Sequence, residues 1–89
     1  MDIEEKTFVV NHDSPMKDDL FLKETNREIS VCLQYDDKKT TFVDIGSNEG
    51  IWSFLLRDKY DFIHSFEPIK NNFNHLKHNL SDFLNVQVY

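Results

Sequence analysis

The sequence is poor in cysteine, glycine and positive charge, and each shortage narrows what the chain can be. It has one cysteine, Cys32. That residue has no partner for an internal disulfide and there is no paired-cysteine zinc signature, so a reducing, cytoplasmic setting is expected. Cys32 itself reads as a small apolar side chain on a helix. Lys and Arg number 10 against 16 Asp and Glu, a net charge of −6. No basic surface is left to neutralise a phosphate backbone, which argues against nucleic acid as a partner. No apolar run approaches the roughly 18 residues of a membrane span. The start Met1-Asp2-Ile3-Glu4-Glu5-Lys6 also lacks the apolar centre of a signal peptide, so no membrane partner is expected.

What is present suits one small domain. The chain has 89 residues, 39% hydrophobic and 29% charged, with eight Phe, three Tyr and one Trp. That aromatic content belongs to a folding chain rather than a disordered one. Residues 1–40 read as an N-terminal extension. In it Thr7-Phe8-Val9-Val10 is a β-prone run suited to an edge strand. Ser14 and Pro15 suit a helix entry, as N-cap and first helical residue, with Asp18 and Asp19 at the positive end of the dipole. The apolar positions Leu20, Ile29, Cys32 and Leu33 then predict a helix to about Tyr35, with Thr25-Asn26 as a candidate break. Asp36-Asp37-Lys38-Lys39 reads as a solvated turn.

Residues 41–89 are more sharply punctuated. Thr41-Phe42-Val43-Asp44-Ile45 is a β-branched, apolar run closed by Gly46, read as a buried strand. Gly50 opens a helix carrying Ile51, Phe54 and Leu55 and running to about Lys59. Phe62-Ile63-His64-Ser65-Phe66 is a second strand, ended by Glu67-Pro68. Ile69, Phe73, Leu76 and Leu80 mark a second helix, and Asn85-Val86-Gln87-Val88-Tyr89 a third strand. Strand, helix, strand, helix, strand at this spacing predicts an α/β fold, a Rossmann-like β-α-β-α-β unit with parallel strands that forms half of a doubly wound sheet.

Both glycines of the chain fall in Asp44-Ile45-Gly46-Ser47-Asn48-Glu49-Gly50, where a strand must turn sharply into a helix. Such a loop lets backbone approach a ligand without a Cβ in the way. The next strand ends in Glu67, close to the roughly 20 residues expected between a glycine turn and an acid that binds ribose hydroxyls. Together these features describe a site for an adenosine-containing cofactor. Asn48 and Ile51 stand where the dinucleotide fingerprint G-x-G-x-x-G needs glycine. Glu49 adds a negative charge beside the place of a pyrophosphate. At an effective dielectric near 20 two like charges about 4 Å apart cost roughly 4 kcal/mol. A zwitterionic amino-acid tail next to a sulfonium meets no such penalty, which ranks S-adenosylmethionine ahead of NAD.

The glycine loop, taken with His64-Ser65-Phe66-Glu67-Pro68, resembles the FkbM family of S-adenosylmethionine-dependent methyltransferases. Members of that family typically carry V-D-[VI]-G-[AS]-N-x-G, then F-E-P at the end of the second strand, then a helix leading into an asparagine-leucine stretch like Asn79-Leu80. The likeness covers roughly residues 28 to 89, and the pairing of the two motifs is more specific than either alone. Ser47, where alanine is commoner, is a mild departure. The resemblance implies a class I methyltransferase sheet in which residues 46–50, with Gly46, Ser47, Asn48 and Gly50, wrap the methionine portion of the cofactor. By the same resemblance Asp44 orients its amino group, Glu67 accepts from both ribose hydroxyls, and Pro68 fixes the turn that aims Glu67. The implied reaction is methyl transfer to a hydroxyl of a sugar or other small molecule. No residue is assigned as general base or acceptor pocket, since in such folds these come from later strands.

Other residues carry blander expectations. His75 and His78 lie three apart on one helix, but with no third ligand they read as surface residues. Ser65, Phe66, Trp52 and Phe54 read as core. A full fold of the implied class has about seven strands. The expectation is therefore a truncated, cofactor-binding part, residues 41–89, with little activity alone and a sheet edge prone to association. The alternatives are a nicotinamide-dependent oxidoreductase fragment and a non-catalytic remnant that completes its sheet with a partner.

Overall fold

The computed structural model describes residues 2–3, 6–7 and 19–89, with side chains from residue 20 onward. Strands β1 (Asp2–Ile3) and β2 (Lys6–Thr7) pair antiparallel. Helix α1 spans Asp19–Tyr35. Then come β3 (Thr41–Ile45), α2 (Ile51–Leu56), β4 (Phe62–Phe66), α3 (Lys70–Leu80) and β5 (Val86–Val88). The last three strands form one parallel sheet in the order β3-β4-β5. The second half is thus the expected β-α-β-α-β unit in a small α/β fold. The Ser14-Pro15 helix entry and Phe8-Val9-Val10 lie outside the described residues.

Helix α1 runs unbroken through Thr25 and Asn26, contrary to the expected interruption. Thr25 is buried on the same stripe as Ile29, and Asn26 Nδ2 donates back to the Leu22 carbonyl at 3.0 Å. Burial of one face outweighs the modest intrinsic penalty of these two residues. Leu20 is exposed instead, while Phe21 and Leu22 pack on the core.

Helix α2 ends at Leu56, sooner than the apolar pattern suggests. Asn85 captures the chain there, its Nδ2 donating to the carbonyls of Arg57 at 2.8 Å and Tyr60 at 3.1 Å. Those acceptors are satisfied from the start of β5, so no further helical turn is needed to satisfy them.

Two apolar clusters hold the unit together. Ile51 and Phe54 of α2 meet Leu76 and Leu80 of α3, with Phe73, Phe83, Val86 and Val88 around them. Ile29 of α1 packs with Leu56, Tyr60 and Ile63, flanked by Leu33 and Phe42. Arg57 lies over the Phe54 ring at 4.2 Å and donates to the Phe54 carbonyl at 2.7 Å, closing the first cluster. The N-terminal helix is therefore part of the same core as the sheet.

The other face of the sheet stays open. Strand register puts Val43 beside His64 and Ile45 beside Phe66, and Val43, Ile45, Phe62 and Tyr89 remain exposed. Tyr89 stacks on Phe66 at 4.4 Å and shares a 2.9 Å hydrogen bond with His64. Strand β3, expected to be buried on both faces, is covered on one and has no strand beyond it among the described residues.

Candidate functional site

The candidate residues converge at the carboxyl ends of β3 and β4, where ligands bind in open parallel sheets. Three left-handed residues shape the loop between β3 and α2: Gly46 (φ 72), Asn48 (φ 53) and Gly50 (φ 96). Asparagine tolerates this region better than most residues, which explains why Asn48 can stand between the two glycines.

The loop is tied to β4 as much as to its own strand. The N–H groups of Gly46 and Ser47 both donate to the Phe66 carbonyl at 2.9 Å. Asn48 N–H donates to Glu67 Oε1 at 2.8 Å, and Ile69 N–H to the other oxygen, Oε2, at 2.9 Å. Glu67 is buried and faces the loop rather than solvent, while Pro68 is exposed and forms the bend between those two contacts. Each carboxylate oxygen keeps a second lone pair, so acceptor capacity is left for a ligand hydroxyl. The Gly50 N–H is spent on the Ser47 carbonyl at 2.9 Å, and the Ser47 hydroxyl donates to the Asp44 carbonyl at 2.8 Å.

The two glycines do different work. A Cβ on Gly46 would meet nothing within 4 Å, so its side of the loop is open. A Cβ on Gly50 would lie 2.7 Å from Leu76 Cδ1 and 3.3 Å from Leu80 Cδ1. Gly50 is therefore required by the close approach of α3, and its missing side chain makes no room for a ligand.

Asp44 lies half-buried under the loop, with Oδ2 accepting from the Ser53 hydroxyl at 2.8 Å. Burial pushes its carboxyl above the ordinary range; the Ser53 and Ser47 hydroxyls oppose the shift, and the charge of Glu67 adds to it. Two carboxylates of like charge thus approach one short loop.

Some residues that shape the site carry no role in the sequence reading. Asn79, fully buried on α3, donates from Nδ2 to the Glu49 carbonyl at 2.7 Å and pins the loop from outside. Its signal was spacing, since it falls three residues after Leu76 and next to Leu80 on a buried stripe. Ser53 lies likewise on the apolar side of α2, between Ile51 and Phe54. Glu49 itself is buried. Trp52 stacks on Phe42 at 6.3 Å, and Phe54 is core.

Two expectations at the margins are corrected. Asp36 is no mere solvated charge, because Tyr60 donates to its Oδ2 at 2.7 Å and the Lys39 N–H to its Oδ1 at 3.3 Å. The Tyr60 hydrogen bond, with the Lys39 main chain second, holds the Asp36 carboxyl below its usual range. His75 is half-buried rather than on the surface, with Nδ1 lacking a hydrogen-bond partner. Among the described residues no group of three or more His, Cys, Asp or Glu could hold a metal ion. No helix among them is long and apolar enough to cross a membrane.

No family model and no curated protein matches the sequence. Eight chains of solved structure do match in fold. One is the crystal structure of the YcgJ protein from Bacillus subtilis, with a TM-score of 0.63 and 10% identity over 72% of this chain and 29% of that one. At such identity the likeness speaks for the fold alone, and the chain spans less than a third of that structure.

Proposed function

We propose that this chain is the cofactor-binding part of an S-adenosylmethionine-dependent methyltransferase of the FkbM type, built on the first half of a Rossmann-like class I sheet. One observation carries the reading: the carboxylates of Asp44 and Glu67 flank a glycine loop whose Gly46, Ser47, Asn48 and Gly50 N–H groups already have acceptors within the protein. A pyrophosphate needs free N–H donors and little negative charge nearby. A ligand with an ammonium and a sulfonium at one end and a ribose at the other fits the reverse arrangement.

The open side of Gly46 gives such a ligand room beside the loop. Asp44 would meet its amino group and Glu67 its ribose hydroxyls through the remaining lone pairs. Ser47, Asn48 and Pro68 would hold the shape that keeps those carboxylates in place. When bound, the cofactor supplies an electrophilic methyl group. The acceptor is a hydroxyl of a sugar or other small molecule, and alignment of the two reactants provides much of the acceleration. The general base lies outside the residues assigned here. The chain would act in the cytoplasm, in keeping with its single cysteine.

Titration calorimetry with S-adenosylmethionine and, separately, NAD tests this. Heat of binding for the first alone is expected, lost in Glu67→Gln and Asp44→Asn. Binding of NAD, or of neither compound, would refute it. A second reading, a module that completes its sheet with a partner, is favoured by the exposed Val43, Ile45 and Phe62 face and by a β3 edge that carries no strand among the described residues.

A further inference from the structure

A column of hydroxyls runs beneath the glycine loop. Ser65 of β4 and Ser53 of α2 are both fully buried, and their hydroxyl oxygens are hydrogen-bonded to each other. Ser53 Oγ also donates to Asp44 Oδ2 at 2.8 Å. An ionised carboxylate only accepts and each serine has one proton, so the order of donation is fixed. Ser65 gives its proton to Ser53, and Ser53 gives its own to Asp44.

Buried hydroxyls between two apolar layers cost free energy unless they are satisfied. Alanine at both places would keep the helix and strand without that cost. With serine, the column is satisfied when Asp44 is ionised and its Oδ2 points down into the fold. Protonation on Oδ2 would force the whole run of donors to reverse.

We infer that Ser53, backed by Ser65, is a positioning residue for Asp44: the two hydroxyls hold its carboxylate charged and in one orientation beneath the loop, which selects ligands that present a primary ammonium group. This rests on the proposed cofactor reading for the ligand, though the hydroxyl column itself does not. The burial that raises Asp44 makes such support necessary. Of the charges acting on it, that of Glu67 from the end of β4 is acidic, and α2 (Ile51–Leu56) has no titratable side chain. No cation of the protein among these does the work instead.

The test compares the wild-type chain with Ser53→Ala and Ser65→Ala. Carboxyl-carbon NMR follows the Asp44 titration, and calorimetry follows S-adenosylmethionine affinity across pH. In Ser53→Ala the Asp44 titration should move upward and affinity fall by about tenfold, as loss of a hydrogen bond to a charged group implies. The loss should be greatest at acid pH and shrink as pH rises, because the acid must ionise to receive the ammonium. Ser65→Ala should shift both in the same direction by less, and it carries the test if Ser53→Ala does not fold. An Asp44 titration that stays put in both variants, or an affinity loss independent of pH, overturns the inference. If the wild-type chain ignores S-adenosylmethionine, the cofactor reading and the ligand half of this inference fail. The Asp44 titration then still decides whether the hydroxyl column controls the carboxylate.

Discussion

Leu76 occupies the space that a side chain on Gly50 would need, its Cδ1 only 2.7 Å from the position of a Cβ there. Gly50 is also left-handed, at φ 96. Gly50→Ala should therefore combine overpacking with backbone strain and cost about 2–4 kcal/mol. Gly46→Ala meets no neighbour and should cost only about 1–2 kcal/mol for its positive φ. Urea denaturation of the two variants measures the difference. Equal losses would show that the packing of α3 against the loop is not as described.

Asp44 links the site to stability. Its folded-state pKa is raised by burial, so the folded chain holds this proton more tightly than the unfolded chain does. The stabilising contribution is complete below the ordinary aspartate value of about 3.9 and disappears as pH rises through the raised one. Asp44→Asn removes the charge, keeps an acceptor for Ser53, and should match the wild type in strong acid. Its stability relative to wild type should then grow as pH increases through that window, while ligand binding is lost. Thermal melts across pH would contradict this if the variant weakened relative to wild type on the alkaline side.

Tyr60 and Asp36 give the opposite sign. The Asp36 carboxyl is lowered, chiefly by the Tyr60 hydroxyl, so its contribution is present above the ordinary carboxylate range and lost as pH falls through the lowered value. Burial, and then the nearness of Asp36, raise the Tyr60 hydroxyl, which stays protonated as the donor. Tyr60→Phe should be less stable than wild type at neutral pH and converge with it in strong acid. A gap that stays constant at all pH values would assign the effect to packing alone.

The strands and helices of residues 41–89 were legible because each rests on local signals: β-branched runs, two glycines at a sharp turn, and a helix stripe through Phe73, Leu76 and Leu80. The loop residues and Glu67 were legible as a constellation for the same reason. Less visible were features that depend on a distant partner. The continuity of α1 past Thr25 and Asn26 comes from burial against the rest of the fold. The early end of α2 comes from Asn85, which is 28 residues beyond Arg57. Gly50 looked like room for a ligand because spacing cannot reveal that Leu76 and Leu80 pass so close. Ser53 was hidden by its type, since a polar residue on an apolar stripe reads as noise until its acceptor is known, and Asn79 was visible only as part of the asparagine-leucine stretch, without the Glu49 carbonyl it holds.

The open sheet face and β3 edge predict association. Val43 and Ile45 are 54% and 75% exposed, enough to count as uncovered apolar surface on a strand that pairs along one edge only among the described residues. Inward-pointing or edge charges are how sheets usually avoid such pairing. Val43→Lys with Ile45→Lys should lower the mass seen in sedimentation equilibrium at high concentration, without loss of the far-ultraviolet dichroism of the fold. Identical sedimentation of both proteins would mean that this face is not the contact.

The single tryptophan offers a built-in optical probe. Trp52 lies in the first turn of α2, two residues after Gly50, stacked parallel to Phe42 at an interplanar angle of 8° and bordering both apolar clusters. Its fluorescence is consequently sensitive to whether α2 is seated on the sheet, and events at the loop and loss of the core can be followed from one emission band without adding a label.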